Sequence, residues 1–165
     1  MDLKKLKAGD KIYYTGVIYT ARDQAHLKLK EMLDSKINIP IDFTNALIYY
    51  AGPTPTRPGN VIGSIGPTTS SRMDKFIDYM KPLGVCGMIG KGPRSFEVTK
   101  SIKRDGLVYF VATGGAGALL SKAVVSAKEV LFKDLGCESI KRLEVKDFPL
   151  LVAIDSQGNN IFERN

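Results

Sequence analysis

A chain of 165 residues with 44% hydrophobic and 25% charged residues has enough apolar surface for one substantial core and lies outside the composition of disordered segments. Its formal charge of +7 suits nucleic acid, an anionic membrane, small acidic substrates or a plain solvated surface, and lysines scattered without a run of five favour the last over nucleic acid. Two cysteines, Cys86 and Cys137, are too few to hold an iron-sulfur cluster and read as free thiols of a reducing compartment; with no apolar stretch resembling a membrane span or signal peptide, a cytoplasmic location away from membranes is expected.

Residues 12–21 (IYYTGVIYTA) are β-branched and aromatic and predict a strand. From residue 22 to 33, Ala25, Leu29, Met32 and Leu33 recur at helical spacing with Lys28, Lys30 and Glu31 opposite, which predicts a helix. A short strand follows at 46–50. Residues 52–60 (GPTPTRPGN), with three prolines and two glycines, suit neither helix nor central strand and read as an ordered loop. A strand at 61–65 then meets Gly66 and Pro67, and the hydroxyls of Thr68, Thr69, Ser70 and Ser71 are placed to cap a helix built on Met73, Phe76, Ile77 and Met80. The unit recurs as a strand at 85–89, a turn at 90–93, and a helix capped by Ser95 that runs to about Arg104. Residues 107–112 (LVYFVA) predict a strand covered on both faces, and Gly114, Gly115, Ala116 and Gly117 lead into a short helix over Leu119 and Leu120. The tail from Val124 reads as strand-rich, with a strand at 149–155, a turn at 156–159 and a last strand at 161–162. The alternation predicts an α/β fold, a mixed sheet flanked by helices, with residues 1–165 as a single domain.

Three turns each set a cation beside a helix start: Arg22 after the first strand, Thr68 to Arg72 after the strand at 61, and Lys91 after the strand at 85. A helix N-terminus presents unpaired N–H groups and partial positive charge, so an added cation makes a receptor for carboxylate or phosphate. Ligands of α/β sheets gather at the carboxyl ends of strands. Two arginines suit a dicarboxylate, since each guanidinium can grip one carboxylate at two points, and Lys91 adds a third positive point. Singly, each of these residues reads as a surface cation or a capping hydroxyl; their convergence carries the anion-site reading. His26, the single histidine, suits fixing the turn of its helix as well as touching a ligand. The GGAGA segment, including Gly115, fails as a dinucleotide fingerprint because Leu120 stands where the third glycine is due; it reads as a tight turn.

The ordered segments TARDQAH (20–26), YAGPTPTRPG (50–59), SIGPTTSSRMD (64–74), MIGKG (88–92) and ATGGAGALL (112–120) together resemble the β region of the iron-sulfur hydro-lyases of the class I fumarate hydratase and tartrate dehydratase family. The resemblance covers nearly the whole chain and implies a swivelling β/β/α domain standing as a separate β subunit. It implies a partner α subunit whose three cysteines hold a four-iron, four-sulfur cluster, and a hetero-oligomer of αβ pairs. On the same basis Arg22, Arg72 and Lys91 bind substrate carboxylates, Thr68 is the candidate base beside its neighbour Thr69, and the complementary acid lies on the α subunit. The implied reaction is (S)-malate to fumarate and water, or else L(+)-tartrate dehydration. A basic module binding nucleic acid or an acidic protein, supported by charge alone, and a nucleotide-binding enzyme using the glycine-rich turn are the rival readings.

Overall fold

The computed structural model describes residues 1–113 and 117–163, so Gly115 of the glycine-rich turn lies outside the described residues. Strand β1 (Lys11–Thr20) leads into helix α1 (Asp23–Asp34), and β2 (Leu47–Tyr49) is followed by a long loop and a 3-10 helix (Ser70–Tyr79) that passes into α2 (Met80–Leu83). Then come β3 (Gly87–Gly90), α3 (Phe96–Asp105), β4 (Val108–Ala112), α4 (Gly117–Ser121), β5 (Val124–Leu131) and β6 (Ile140–Ile154).

The sheet is mixed. Strands β1 to β4 run parallel in sequential order, while β6 runs antiparallel to β1, β4 and β5. Because β6 pairs with both β1 and β4, the ring β1-β2-β3-β4-β6 closes on itself, leaving β5 as an added strand along β6. Alternation along each strand sends one set of side chains inward: Leu47 and Tyr49, Val108 and Phe110, Leu143 and Val145, and Phe148, Leu150 and Val152 share one buried cluster. The odd numbers before residue 146 and even numbers after it reflect a bulge, since Tyr14 pairs with Phe148 but Gly16 with Val145. One extra residue on β6 switches the parity, so both halves of a 15-residue strand face the same interior. Asp147 takes the left-handed conformation there, at φ 52°, and its N–H donates to Thr15 Oγ1.

The other set, including Ile48, Tyr50, Met88 and Tyr109, faces outward and is covered by Ala25 and Leu29 of α1, Met73, Phe76 and Ile77 of the 3-10 helix, and Val98 and Ile102 of α3. The sequence spacing suggests an α-helix after residue 71, and the structure has a 3-10 helix, whose three residues per turn align the buried Ser70, Met73 and Phe76 on one face. Ser95 caps α3 as expected, its Oγ accepting from Val98 N at 3.3 Å.

Two expected strands are absent. In residues 61–65, Ser64 bonds across its own loop instead, Thr54 N donating to Ser64 O, and Ile65 bonds to Gly117 and Tyr49, with Gly63 pressed so closely on Thr54 that a Cβ would overlap it. Residues 161–162 form a turn; only Asn160 makes an isolated bridge, to Ile154, because Asp155 gathers the amides of Gln157 and Asn159 into a tight loop. The final strand is much longer than 149–155, because its polar outward residues interrupt the apolar signal in the first half.

Phe148→Ala, which empties a fully buried position, is expected to cost about 3–5 kcal/mol in urea unfolding, whereas Tyr13→Ala, at a position 69% exposed, should fall within about 0.5 kcal/mol of the parent. Equal losses would contradict the inward face described for β6.

Candidate functional site

Four parallel strands bring four carboxyl ends to one rim. Arg22 closely follows β1 and is the first residue before α1; Lys91 directly follows β3. The Thr68–Arg72 segment arrives by a different route from the expected one. With no strand at 61–65, it returns after the long loop to the end of β2, where Thr68 N donates to Tyr50 O at 2.7 Å. It is then fastened to the end of β3: Ser70 N donates to Lys91 O at 3.0 Å, Lys91 N donates to Ser70 Oγ at 2.8 Å, and Thr69 bridges Lys91 in parallel register. Gly90 is required here, since a Cβ would lie 1.8 Å from Ser70 Oγ.

Contacts run through the group. Arg72 Nη2 donates to Thr68 Oγ1 at 2.9 Å, and Arg72 Nε lies 3.3 Å from Asp23 Oδ2 at the start of α1. Arg22, next to Asp23, folds its aliphatic stem and guanidinium over Gly52, where a Cβ would stand 2.9 Å from Cδ. Neither threonine caps the 3-10 helix by its side chain, so the capping role suggested for them is not the one they play. The Thr68 hydroxyl meets a cation instead.

Among the described residues Arg22 and Lys91 enter no ion pair, and Arg22 Nε is buried without a hydrogen-bond partner. Asp23 pairs with Arg72 and the Glu138 carboxylate accepts from Gln24 N at the same helix start, so three cations face two carboxylates, of which one forms an ion pair with them. An unpaired buried donor is costly unless a ligand satisfies it, and a carboxylate does so best. Grooves of about 310 and 560 Å³ lie along the 54–64 loop. Thr69, Arg72 and Lys91 are exposed and Arg22 and Thr68 half-buried, so among the described residues the cationic group stands on an open surface, whereas ligand sites enclose most of their ligand.

His26 stands behind the rim. Its Nδ1 lies 2.7 Å from Arg22 O, and since a carbonyl only accepts, Nδ1 carries the proton and Nε2 is bare, buried and unpartnered. Burial against Tyr50 and Phe76 pushes its pKa down to about 4, so the ring is neutral near pH 7 and braces the turn carrying Arg22 rather than adding charge.

Sequence reasoning missed Asp23, which orients Arg72, and the buried group beneath the rim: Tyr50, Asp74, Arg94 and Tyr109. Asp23 lies inside the TARDQAH segment and could have been found as the immediate neighbour of Arg22. Arg94 carried no signal, because an arginine after a Gly-Pro turn reads as exposed.

The fold and rim define an α/β domain that gathers cations at its strand ends. The family model described as the fumarase C-terminus matches residues 1–165, and the chain belongs to that family. It is 46% identical over 168 residues to a Methanocaldococcus jannaschii protein provisionally named L(+)-tartrate dehydratase subunit beta, covering 98% of this chain and 86% of that one. It is 38% identical over 165 residues to the mitochondrial fumarate hydratase 1 of Leishmania major and 37% identical over 164 residues to the aerobic class I fumarate hydratase of Escherichia coli, covering 99% and 98% of this chain. This chain spans 30% of the length of each of those two.

Between pH 6.5 and about 4 the unfolded chain takes up a proton that folded His26 refuses, so stability falls as pH drops through that window, by roughly 3 kcal/mol from this residue. Urea unfolding of the parent and His26→Gln at pH 7 and pH 4.5 measures it: the variant should lose that part of the pH dependence. Identical pH dependence in both would place the acid sensitivity elsewhere.

Proposed function

We propose that this chain is the β subunit of an iron-sulfur hydro-lyase interconverting (S)-malate and fumarate, with its site completed by a cluster-bearing α subunit. The observation that carries the reading is the open cationic rim, where Arg22 and Lys91 enter no ion pair among the described residues and Arg72 pairs only with Asp23. A dicarboxylate supplies two negative charges at a separation that two cationic turns can span, and the partner supplies the missing wall.

In this reading Arg22, Lys91 and the free edge of Arg72 hold the substrate carboxylates, and Thr69 adds a hydrogen bond. Thr68 Oγ1, its own proton first given up to solvent, takes as the alkoxide the proton from the carbon next to a carboxylate while the bond from the neighbouring carbon to its hydroxyl breaks, and the departing hydroxide takes up a proton from an acid on the partner to leave as water. A threonine hydroxyl is a poor base unless its alkoxide is stabilised, and the hydrogen bond from Arg72 Nη2 favours the charged form. The four-iron, four-sulfur cluster does not fit this chain's own donors: Cys86 is half-buried with a pKa raised by burial, Cys137 is exposed on a different part of the surface, and the described residues hold no group of three His, Cys, Asp or Glu side chains. The cluster is therefore assigned to the α subunit. The same reading takes the chain as a domain spanning residues 1–165 that swivels against its partner in a cytoplasmic hetero-oligomer of αβ pairs, with fumarase activity placing it in the tricarboxylic acid cycle. Among the described residues no helix is long and apolar enough to cross a membrane.

L(+)-tartrate dehydration is the second reading, favoured by the similarity to a separate subunit bearing that name. Anaerobic assay of both acids, by this chain alone and with the cluster-loaded α subunit, separates them: activity only in the mixture supports the shared site, and the preferred acid identifies the substrate. Inactivity of a cluster-loaded mixture toward both acids rejects the reading. Arg72→Lys keeps the charge but loses the fork that reaches Asp23 and Thr68 together, and is expected to lower kcat/KM about 100-fold or more with the fold intact. Near-parent turnover would remove Arg72 from the site.

A further inference from the structure

Arg94 lies three residues beyond Lys91, and its side chain is fully buried. A guanidinium stays charged at any pH at which proteins fold, so burying it is costly unless its surroundings offset the charge, and here Nη2 has no hydrogen-bond partner while the other two nitrogens are held. Arg94 Nε donates to Asp74 Oδ1 at 2.5 Å and Nη1 to the Tyr50 hydroxyl at 3.3 Å. Its guanidinium carbon lies over the rings of Tyr50 and Tyr109, at 5.3 and 5.0 Å from their centres.

Each of these partners reaches a different part of the rim. The Tyr50 carbonyl accepts from Thr68 N, and the Tyr50 ring packs edge-on against His26, which holds the Arg22 carbonyl. The Tyr109 hydroxyl sits 2.7 Å from Gly92 O and 2.8 Å from Ser70 Oγ. A phenol has one proton and Gly92 O can only accept, so that proton goes to Gly92, Ser70 donates its own to Tyr109, and Ser70 Oγ accepts from Lys91 N. One hydroxyl thus ties the threonine segment to both sides of the lysine turn. Asp74 in turn accepts from Ser95 N at the cap of α3.

We infer that Arg94 is a positioning residue: stacked on Tyr50 and Tyr109 and anchored by Asp74, it fixes the spacing between the Thr68–Thr69 segment and the Lys91 turn, so that hydroxyl and ammonium meet one dicarboxylate. It touches no ligand itself. The inference rests on the dicarboxylate reading, and a displacement of reacting groups by about 1 Å can cost a factor of order 100 in rate.

Two variants test it in the cluster-loaded complex with the α subunit, with kcat and KM measured separately on fumarate and tartrate and amide exchange followed at Lys91. Arg94→Lys keeps the charge and loses the stacked plane; Tyr109→Phe removes only the hydroxyl. Arg94→Lys is expected to lower kcat about 10- to 100-fold with KM changed less than about threefold, and Tyr109→Phe to lower kcat by a smaller factor while Lys91 exchanges about 10-fold faster. Parent-like kcat in both overturns the inference, as does a loss that only tracks the fraction of folded protein. Where Arg94→Lys does not fold, Tyr109→Phe decides. If the parent complex acts on neither acid, the functional reading falls, and exchange at Lys91 alone judges the tie: unchanged exchange in Tyr109→Phe refutes it, faster exchange supports it.

Discussion

The closure of the sheet through β6 is the constraint on which the remaining structure depends. A parallel run of four strands needs its last edge covered, and an antiparallel strand long enough to pair with β1 along its whole length and with β4 at its end supplies that cover. Once the ring is closed the register cannot slip, because a shift by one residue would turn Phe148, Leu150 and Val152 away from the interior. The bulge at Asp147 lets one strand serve both neighbours. With the ring fixed, the carboxyl ends of β1, β2 and β3 are held side by side, and the turns leaving them are held as well.

Those turns carry positive charge of two kinds. At the rim, Arg22, Arg72 and Lys91 form a cationic group, one member of which pairs with a carboxylate. Beneath, Arg94 is held out of water by Asp74 and two tyrosines, an arrangement whose value lies in geometry, since buried ion pairs seldom add net stability. The rim cations can attract an acid; the buried one holds the backbone that carries them. Asp23 ties Arg72 to the start of α1, while Arg22 and Lys91 enter no ion pair among the described residues.

An open, half-formed rim also suits the way this family is built. In the two fumarate hydratases the matching segment is under a third of a longer chain, whereas it makes up 86% of the Methanocaldococcus jannaschii relative.

Much of this was legible in the amino-acid order. β-Branched and aromatic composition marked β1, a continuous apolar run marked β4, the alternation of strands and helices marked the α/β class, helical spacing marked α1, and Ser95 marked the start of α3, because these are local consequences of backbone geometry and side-chain character. The cations at Arg22 and Lys91 could be singled out because turns after strands are short and their position is nearly fixed, whereas Arg72 was expected after a strand at 61–65 that the structure lacks and reaches the rim by the long loop. Other features depended on partners far away in the chain. Residues 61–65 have strand-like composition, but Ser64 bonds across its own loop to Thr54 and Ile65 bonds to Gly117 and Tyr49, and the first half of β6 is too polar on its outward side to be read as strand. Asp23, Tyr109 and Arg94 owe their roles to contacts with residues distant in sequence, and burial of a charged side chain is decided only when the elements around it are packed. Sequence thus determined which chemical groups stand at the strand ends, because local order sets turns and periodicity; the tertiary structure alone decided which of them meet, because hydrogen bonding and burial are satisfied between elements that the closed sheet brings together.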